Sequence, residues 1–282
     1  MNKKKPHAMI QIDCDREWDD IRVSIEILRE FSRIFENNNI KATWFVVGSD
    51  LEDPSYQDVF MSLIKAGHEI GNHTYSHYKD FISFNSDDKK EEMEKCDKII
   101  KNTGYVPVGF RTPYFGVDDL IPLILKEMEY QYDSSICPSP FLNMIAKVKE
   151  FLNTGFTRKQ LSNSDRKVNA TKHELSNKIE IREIPVSVLP HLKAPAHASY
   201  AMVLPFKLSY WYSKLLLNHS MRSGDPLVYV FHLNDLCPKE HFKSKEFKYL
   251  MSLEKRRGLI NWICSQISSS FNVILTREYA DD

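Results

Sequence analysis

The sequence predicts an α/β fold in which parallel strands curl into a barrel. Three observations predict it. Short apolar runs alternate with stretches whose apolar residues recur at helical spacing, a rhythm that joins parallel strands by right-handed crossovers. The rhythm repeats often enough for seven or eight strands, which suits a barrel better than an open sheet. The length, 282 residues, is normal for one such barrel, so a single domain over 1–282 is expected.

Each element has its own reason. Ala8 to Ile12 is a short apolar run that ends in acidic residues. Ile21, Ile25, Leu28, Phe31 and Phe35 share a helical period, closed by Asn37-Asn38-Asn39. Ala42 to Val47 reads as a buried strand ended by Gly48. Val59, Phe60, Leu63 and Ile64 mark the next helix, with Gly67 at its C-cap. His68 to His73 is short and extended. Ser86 to Thr103 is a charged helix with Met93, Cys96, Ile99 and Ile100 inward, and its charge run Asp87 to Lys98 reads as a solvated face. Val108 to Arg111 is a strand, Val117 to Met128 a helix and Tyr130 to Ser134 a strand. The rhythm resumes at Ile179 to Val188, at Leu227 to His232, and at Phe271 to Leu275 after a helix over about Leu250 to Ile267. The stretch 138–178 is rich in Lys, Asn and Ser and reads as an insertion over one end of the barrel. Ser199 to His219 is aromatic and apolar, with Lys207 and Lys214 among it. It reads as a helix covering the barrel's open side, with peripheral membrane contact as the other reading.

Composition excludes several functions. Lys+Arg and Asp+Glu are both 38, so no net basic field exists to hold a nucleic-acid backbone. The nine glycines form no dinucleotide fingerprint, Walker loop or nucleophile elbow. The five cysteines are odd in number and widely spaced, without a C-x-x-C pair, and free thiols fit a reducing compartment. The positive start at Lys3-Lys4-Lys5 leads into an apolar run broken by Gln11 and ended by Asp13, too short for a secretory leader. No run of about 20 apolar residues predicts a membrane span. The expected location is the cytoplasm.

Strand ends at the carboxyl side of such a barrel point into the active site. Here those ends read Asp13-Cys14-Asp15, His73-Thr74-Tyr75-Ser76-His77, Arg111-Thr112-Pro113-Tyr114, Asp133-Ser134-Ser135 and His232. His73 and His77 are four apart, so one helical turn would project both imidazoles to one side. Two histidines and one carboxylate leave open positions on a divalent ion, as a catalytic zinc site requires. Asp13 and Asp15 alternate along a strand, so one can bind the ion while the other accepts a proton. Each signal alone is ordinary; their joint order at strand ends is not.

These residues resemble the polysaccharide deacetylases of carbohydrate esterase family four, which include chitin and peptidoglycan deacetylases. Gly71 to His77 and Phe110 to Tyr114 carry most of the resemblance, closely over Ala8 to Asp133 and more loosely from Leu227 onward. The resemblance implies a distorted, incomplete (β/α) barrel and a metal-dependent hydrolase that removes an N-acyl group from an amino sugar. It implies that His73, His77 and one aspartate bind the ion while the other aspartate is the base. Arg111 would orient that base, Tyr114 would lie in the substrate groove, and His232 would be the general acid, paired with Asp133. The usual first motif has adjacent aspartates. The Asp13-Cys14-Asp15 spacing is closer to a cytoplasmic branch with a Helicobacter-type peptidoglycan deacetylase, an aminoarabinose-lipid deformylase and allantoinase-like amidohydrolases. By that similarity Asp13 is the base and Asp15 the ligand, although the two could be exchanged. The fourth motif also lacks the tryptophan often found there. Trp18 and His197 are candidate sugar contacts, and Glu183 and His68 read as structural. Zinc is the default ion; cobalt, nickel or manganese would fit the same ligands. The expected substrate is a small, nucleotide-linked or lipid-linked amino sugar. A formamide or cyclic amide, or an inactive carbohydrate-binding protein, is the alternative.

Overall fold

The computed structural model describes residues 4–140, 181–242, 249 and 251–281. The expected insertion at 138–178 therefore falls almost wholly outside the described residues. The first half alternates β1 (His7–Asp13), α1 (Ile21–Asn37), β2 (Thr43–Val46), α2 (Pro54–Lys65), β3 (Glu69–Asn72), α3 (Ser86–Asn102), β4 (Gly109–Phe110), α4 (Ile121–Glu127) and β5 (Tyr132–Asp133). Then follow β6 (Arg182–Glu183), α5 (Ala198–Met202), α6 (Phe206–Ser223), β7 (Leu227–His232), α7 (Leu253–Ser270), β8 (Asn272–Val273) and α8 (Thr276–Asp281).

The strands form one sheet in the order β6-β5-β4-β3-β2-β1-β7, with β8 pairing the start of β1. Every pairing is parallel. The sheet curls into an incomplete barrel, and an irregular segment spans the gap between β6 and β7. There Ser187 N–H donates to Val228 O at 3.2 Å and Val230 N–H donates to Ala196 O at 2.9 Å. The chain therefore adopts the expected fold class; β7 has the expected bounds and β1 exceeds them, while β2, β3, β4, β5 and β8 are shorter than the apolar runs suggested.

Local chemistry explains the elements. Both faces of β1 are covered, so its Ala8, Met9, Ile10 and Ile12 are all buried, as parallel strands require. Asp20 caps α1 by accepting from Arg22 N–H, and Asp53 with Pro54 starts α2. Between these helices and the sheet, Phe31, Phe35, Trp44, Phe60 and Phe231 interlock, Phe35 meeting Trp44 edge-on at 5.6 Å. His68 Nδ1 accepts from Ala42 N–H and Trp44 Nε1–H, both at 3.1 Å, and burial holds its pKa down to about 4. It is a neutral core group. Gly109 has no substitute, because a Cβ there would lie 2.1 Å from the Tyr132 ring.

Three expectations need correction. The helix foreseen from Val117 begins at Ile121, because Asp118 captures the N–H groups of Leu120 and Ile121 in a turn (3.0 Å each). The charged face of α3 is not wholly solvated: Lys89 is buried and pairs with Asp118 at 2.8 Å. The stretch Ser199 to His219 is two helices, because Pro205 cannot continue α5. Phe206, Leu208 and Trp211 of α6 are exposed. Among the described residues no helix is long and apolar enough to cross a membrane.

Candidate active site

The site gathers at the carboxyl ends of β1, β3, β4 and β7. Parallel pairing sets Asp13 of β1 directly beside His232 of β7. After Asp13 the chain turns outward, and Arg16 fixes the turn that carries Asp15. Arg16 Nε reaches Asp50 at 2.9 Å, and its Nη1 donates to the carbonyls of Trp18 and Asp19 at 2.6 and 2.8 Å.

His73 and His77 do not lie on a helix, contrary to the spacing argument. They follow β3 in a tight loop with Thr74 and His77 in the left-handed region (φ 66° and 51°). Asn72 holds Thr74 N–H at 2.9 Å, and Thr74 Oγ1 accepts His77 N–H at 3.2 Å. The two imidazole rings converge to 4.7 Å.

Asp15, His73 and His77 each offer a ligand atom, all within 4.8 Å of one another. A divalent ion fits this set on two further observations. His73 Nδ1 lies 2.8 Å from Arg111 O, and a carbonyl only accepts, so Nδ1 carries the hydrogen and Nε2 keeps its lone pair. Asp15 Oδ1 is buried and accepts no hydrogen bond. Burial lowers the pKa of His73 to about 4, helped by His77, and burial also lowers that of His77. Both rings are therefore neutral and able to donate a lone pair.

Arg111 is fully buried and anchors the other carboxylate. Its Nη1 donates to Asp13 Oδ1 at 2.6 Å, its Nε to Ser134 O at 2.8 Å, and its Nη2 to Ser134 Oγ at 2.9 Å and to Gln11 Oε1. Burial alone would raise the pKa of Asp13; Arg111 and then His232 override it and hold the carboxyl well below its usual range. Asp15 is likewise held low against its burial, by His232 and His77. His232 Nε2 lies 3.2 Å from Asp13 Oδ2 and its Nδ1 3.1 Å from Asp15 Oδ1, close enough for ion pairing but not aligned as hydrogen bonds. Burial opposes charge on His232, yet the two aspartates raise its pKa well above the usual value.

Other candidates stand apart from their expected places. Asp133 does not pair with His232. Its carboxyl takes the Ser135 hydroxyl, which in turn accepts Thr112 N–H at 2.9 Å, and its other partner is Glu183. Burial pushes Asp133 up to about 6 and Glu183 well above its usual value, so the two carboxyls share a proton. The group that steadies the His232 backbone is Asp235, accepting its N–H at 2.9 Å. Trp18 is a core residue rather than a sugar contact: only 2% exposed, it donates to Ser24 Oγ at 3.0 Å and meets Phe242 edge-on. His197 is buried behind His232, ring to ring at 4.7 Å, and its Nδ1 accepts Ser199 N–H to cap α5. Tyr114 is 44% exposed, on a left-handed turn (φ 55°), with its ring 5.1 Å from His77. Sequence reasoning missed Gln11, although it lies two residues before Asp13 and so on the same strand face.

Comparison with known proteins agrees with this fold. Residues 15–132 match the family model for polysaccharide deacetylase. The chain is 26% identical over 117 residues to a peptidoglycan deacetylase of Helicobacter pylori, covering 41% of this chain and 39% of that protein. It is 36% identical over 100 residues to a chitin deacetylase of Arthroderma benhamiae, covering 34% of this chain and 27% of that one. The matches thus span well under half the length of these curated relatives. A solved structure assigned as a polysaccharide deacetylase from Mycobacterium smegmatis superposes with a TM-score of 0.64 at 16% identity, over 100% of this chain and 91% of the other. A CE4 family pseudoenzyme from Bacillus anthracis superposes with a TM-score of 0.54 at 14% identity, over 100% and 67%. At such identities the two structures speak for the fold alone.

Proposed function

We propose that this chain, whose residues 15–132 match the polysaccharide deacetylase family model, is a divalent-metal-dependent hydrolase that removes an N-acetyl group from an amino sugar. One observation carries the reading: a ligand triangle of Asp15, His73 and His77 lies beside an Arg111-held Asp13 and beside His232, whose ring nitrogens stand 3.1 and 3.2 Å from Asp15 and Asp13. A bound ion, zinc by default, supplies Lewis-acid polarisation of the carbonyl and acidifies water.

The protein's own residues do the rest. Arg111 occupies Asp13 Oδ1, so Oδ2 is the atom that takes the proton of the attacking water. Tyr114 N–H, on its left-handed turn beside His77, holds the oxyanion. His232 gives its proton to the amide nitrogen, which then leaves as an amine. A fold of this kind also houses a pseudoenzyme. The full set of ligands, base and acid in this chain favours catalysis.

Our reading places the substrate on a nucleotide or lipid carrier in the cytoplasm. Five buried free thiols support that compartment, and the exposed Phe206, Leu208 and Trp211 beside Lys207 and Lys214 support a lipid carrier. The test is zinc content by elemental mass spectrometry with acetate release from N-acetylglucosamine oligomers and from a nucleotide-linked N-acetylglucosamine. Wild type should hold near one equivalent and release acetate, and His73→Ala should do neither. Zinc-loaded wild type without turnover on either probe overturns the reading.

A further inference from the structure

We propose that Gln11 and Thr276 are positioning residues: the helix α8, seated in the floor of the barrel, sets the aim of Arg111 and through it that of Asp13. The inference rests on the reading of Asp13 as the base.

Gln11 is fully buried and both ends of its amide are engaged. Oε1 accepts from Arg111 Nη2, while Nε2 donates to Ser134 Oγ and to Thr276 Oγ1, both at 3.2 Å. Thr276 opens α8, and its hydroxyl also lies 2.7 Å from Thr43 Oγ1. The proton directions along this chain follow from its far end. Glu69 accepts from Thr43 Oγ1–H at 2.7 Å, Tyr132 O–H at 2.8 Å and Arg277 N–H at 3.1 Å. Thr43 has one hydroxyl hydrogen and spends it on Glu69. Thr276 must therefore donate to Thr43 and accept from Gln11. That turns the Gln11 carbonyl toward Arg111, which can only donate. Glu69, Thr43, Thr276, Gln11, Arg111 and Asp13 thus form one continuous chain of hydrogen bonds between floor and site, its donors pointing toward Glu69 as far as Arg111, which donates both to Gln11 and to Asp13.

The floor is itself clamped. Arg182 Nη1 donates to Ala280 O at 2.7 Å and its guanidinium covers the Tyr279 ring at 4.8 Å. Tyr279 and Ala280 pack on Met9, Phe45 and Tyr132. A helix held this way gives Gln11 a fixed partner, where a solvent molecule would not.

The test compares Thr276→Val, which removes both hydrogen bonds, with Thr276→Ser, which keeps them. Two readouts are used: kinetics on N-acetylglucosamine oligomers with zinc-loaded protein, and the ¹⁵N–H resonance of Arg111 Nε, assigned by its loss in Arg111→Lys. Thr276→Val should lower kcat about tenfold with KM within twofold, keep its zinc, and shift the Arg111 resonance. Thr276→Ser should restore both. Ile263→Val, a packing control in the core of α7 away from α8, should lower Tm without moving either. Wild-type kcat and an unmoved resonance in Thr276→Val would overturn the proposal, as would an equal loss in Thr276→Ser. If wild type turns over no probe, the functional reading fails while the Arg111 resonance still decides the coupling.

Discussion

The two aspartates of the first motif have different surroundings, so their amide variants should fail in different ways. Asp13→Asn keeps the shape but removes the charge facing a fully buried guanidinium at 2.6 Å. Breaking such a pair costs about 3–5 kcal/mol, and because Asn still offers Oδ1 to Arg111 the lower end, about 3 kcal/mol, applies. For a chain of this size that is a fall in Tm of roughly 6–12 °C. The ligand triangle is untouched, so zinc should stay near one equivalent while kcat drops by about a hundredfold or more. Asp15→Asn is the mirror case. Asp15 Oδ1 has no aligned hydrogen bond and no arginine to strand, and the ion pair it loses with His232 at 3.1 Å leaves that ring beside Asp13, so the metal-free Tm should fall by less than in Asp13→Asn. Zinc should be lost, and activity with it. The assay is a thermal melt of metal-stripped protein beside zinc stoichiometry after dialysis. Zinc retained by Asp15→Asn and lost by Asp13→Asn would exchange the roles and refute the argument from Arg111.

Two further outcomes are specific. Trp18→Phe should leave KM unchanged and cost about 1 kcal/mol in stability, since the indole lies in the core with one hydrogen bond to Ser24; a KM rise of fivefold or more would restore it to the substrate groove. Glu183→Gln should flatten the pH dependence of stability. Asp133 sits at about 6 when folded against an ordinary 3.8, and Glu183 is also raised, so the folded state holds the extra proton. That stability is complete below about pH 4 and is lost as pH rises through 6. The amide introduced by Glu183→Gln donates to Asp133 at every pH, so Tm should fall less between pH 4 and 7 than in wild type; parallel curves would show that the carboxyls share no proton.

The strand ends were legible because an apolar run that closes on a charged residue aims that charge out of the core and into the barrel mouth. Asp13, Arg111 and His232 stand at such ends, and parallel register brings them together. What was not legible depends on backbone shape or on distant pairing. A spacing of four between His73 and His77 looks the same in a helix and in a loop with two left-handed residues, and only the second occurs. The family resemblance paired Asp133 with His232, but Glu183, across the adjacent parallel strand, claims it. Trp18 follows the acidic motif in sequence yet turns into the core, because Arg16 folds the intervening turn back. Gln11 was readable by simple alternation, but a neutral amide on an apolar strand drew no notice.

The sheet order carries a consequence for how the protein is made. β1 lies between β2 and β7, and six register pairs from Ala8–Leu227 to Asp13–His232 join it to β7. β1 leaves the ribosome before its neighbour β7, which follows only about 200 residues later, at about 5–20 residues per second roughly 10–40 s. For that interval one edge of an apolar strand stays unpaired, beside an acidic motif that still lacks His232. A nascent chain stalled before Leu227 would already carry every proposed metal ligand and the base, yet have no acid and an open edge ready to pair with another copy. Slowing translation after β6 should therefore show first as aggregation, and only later as lost activity.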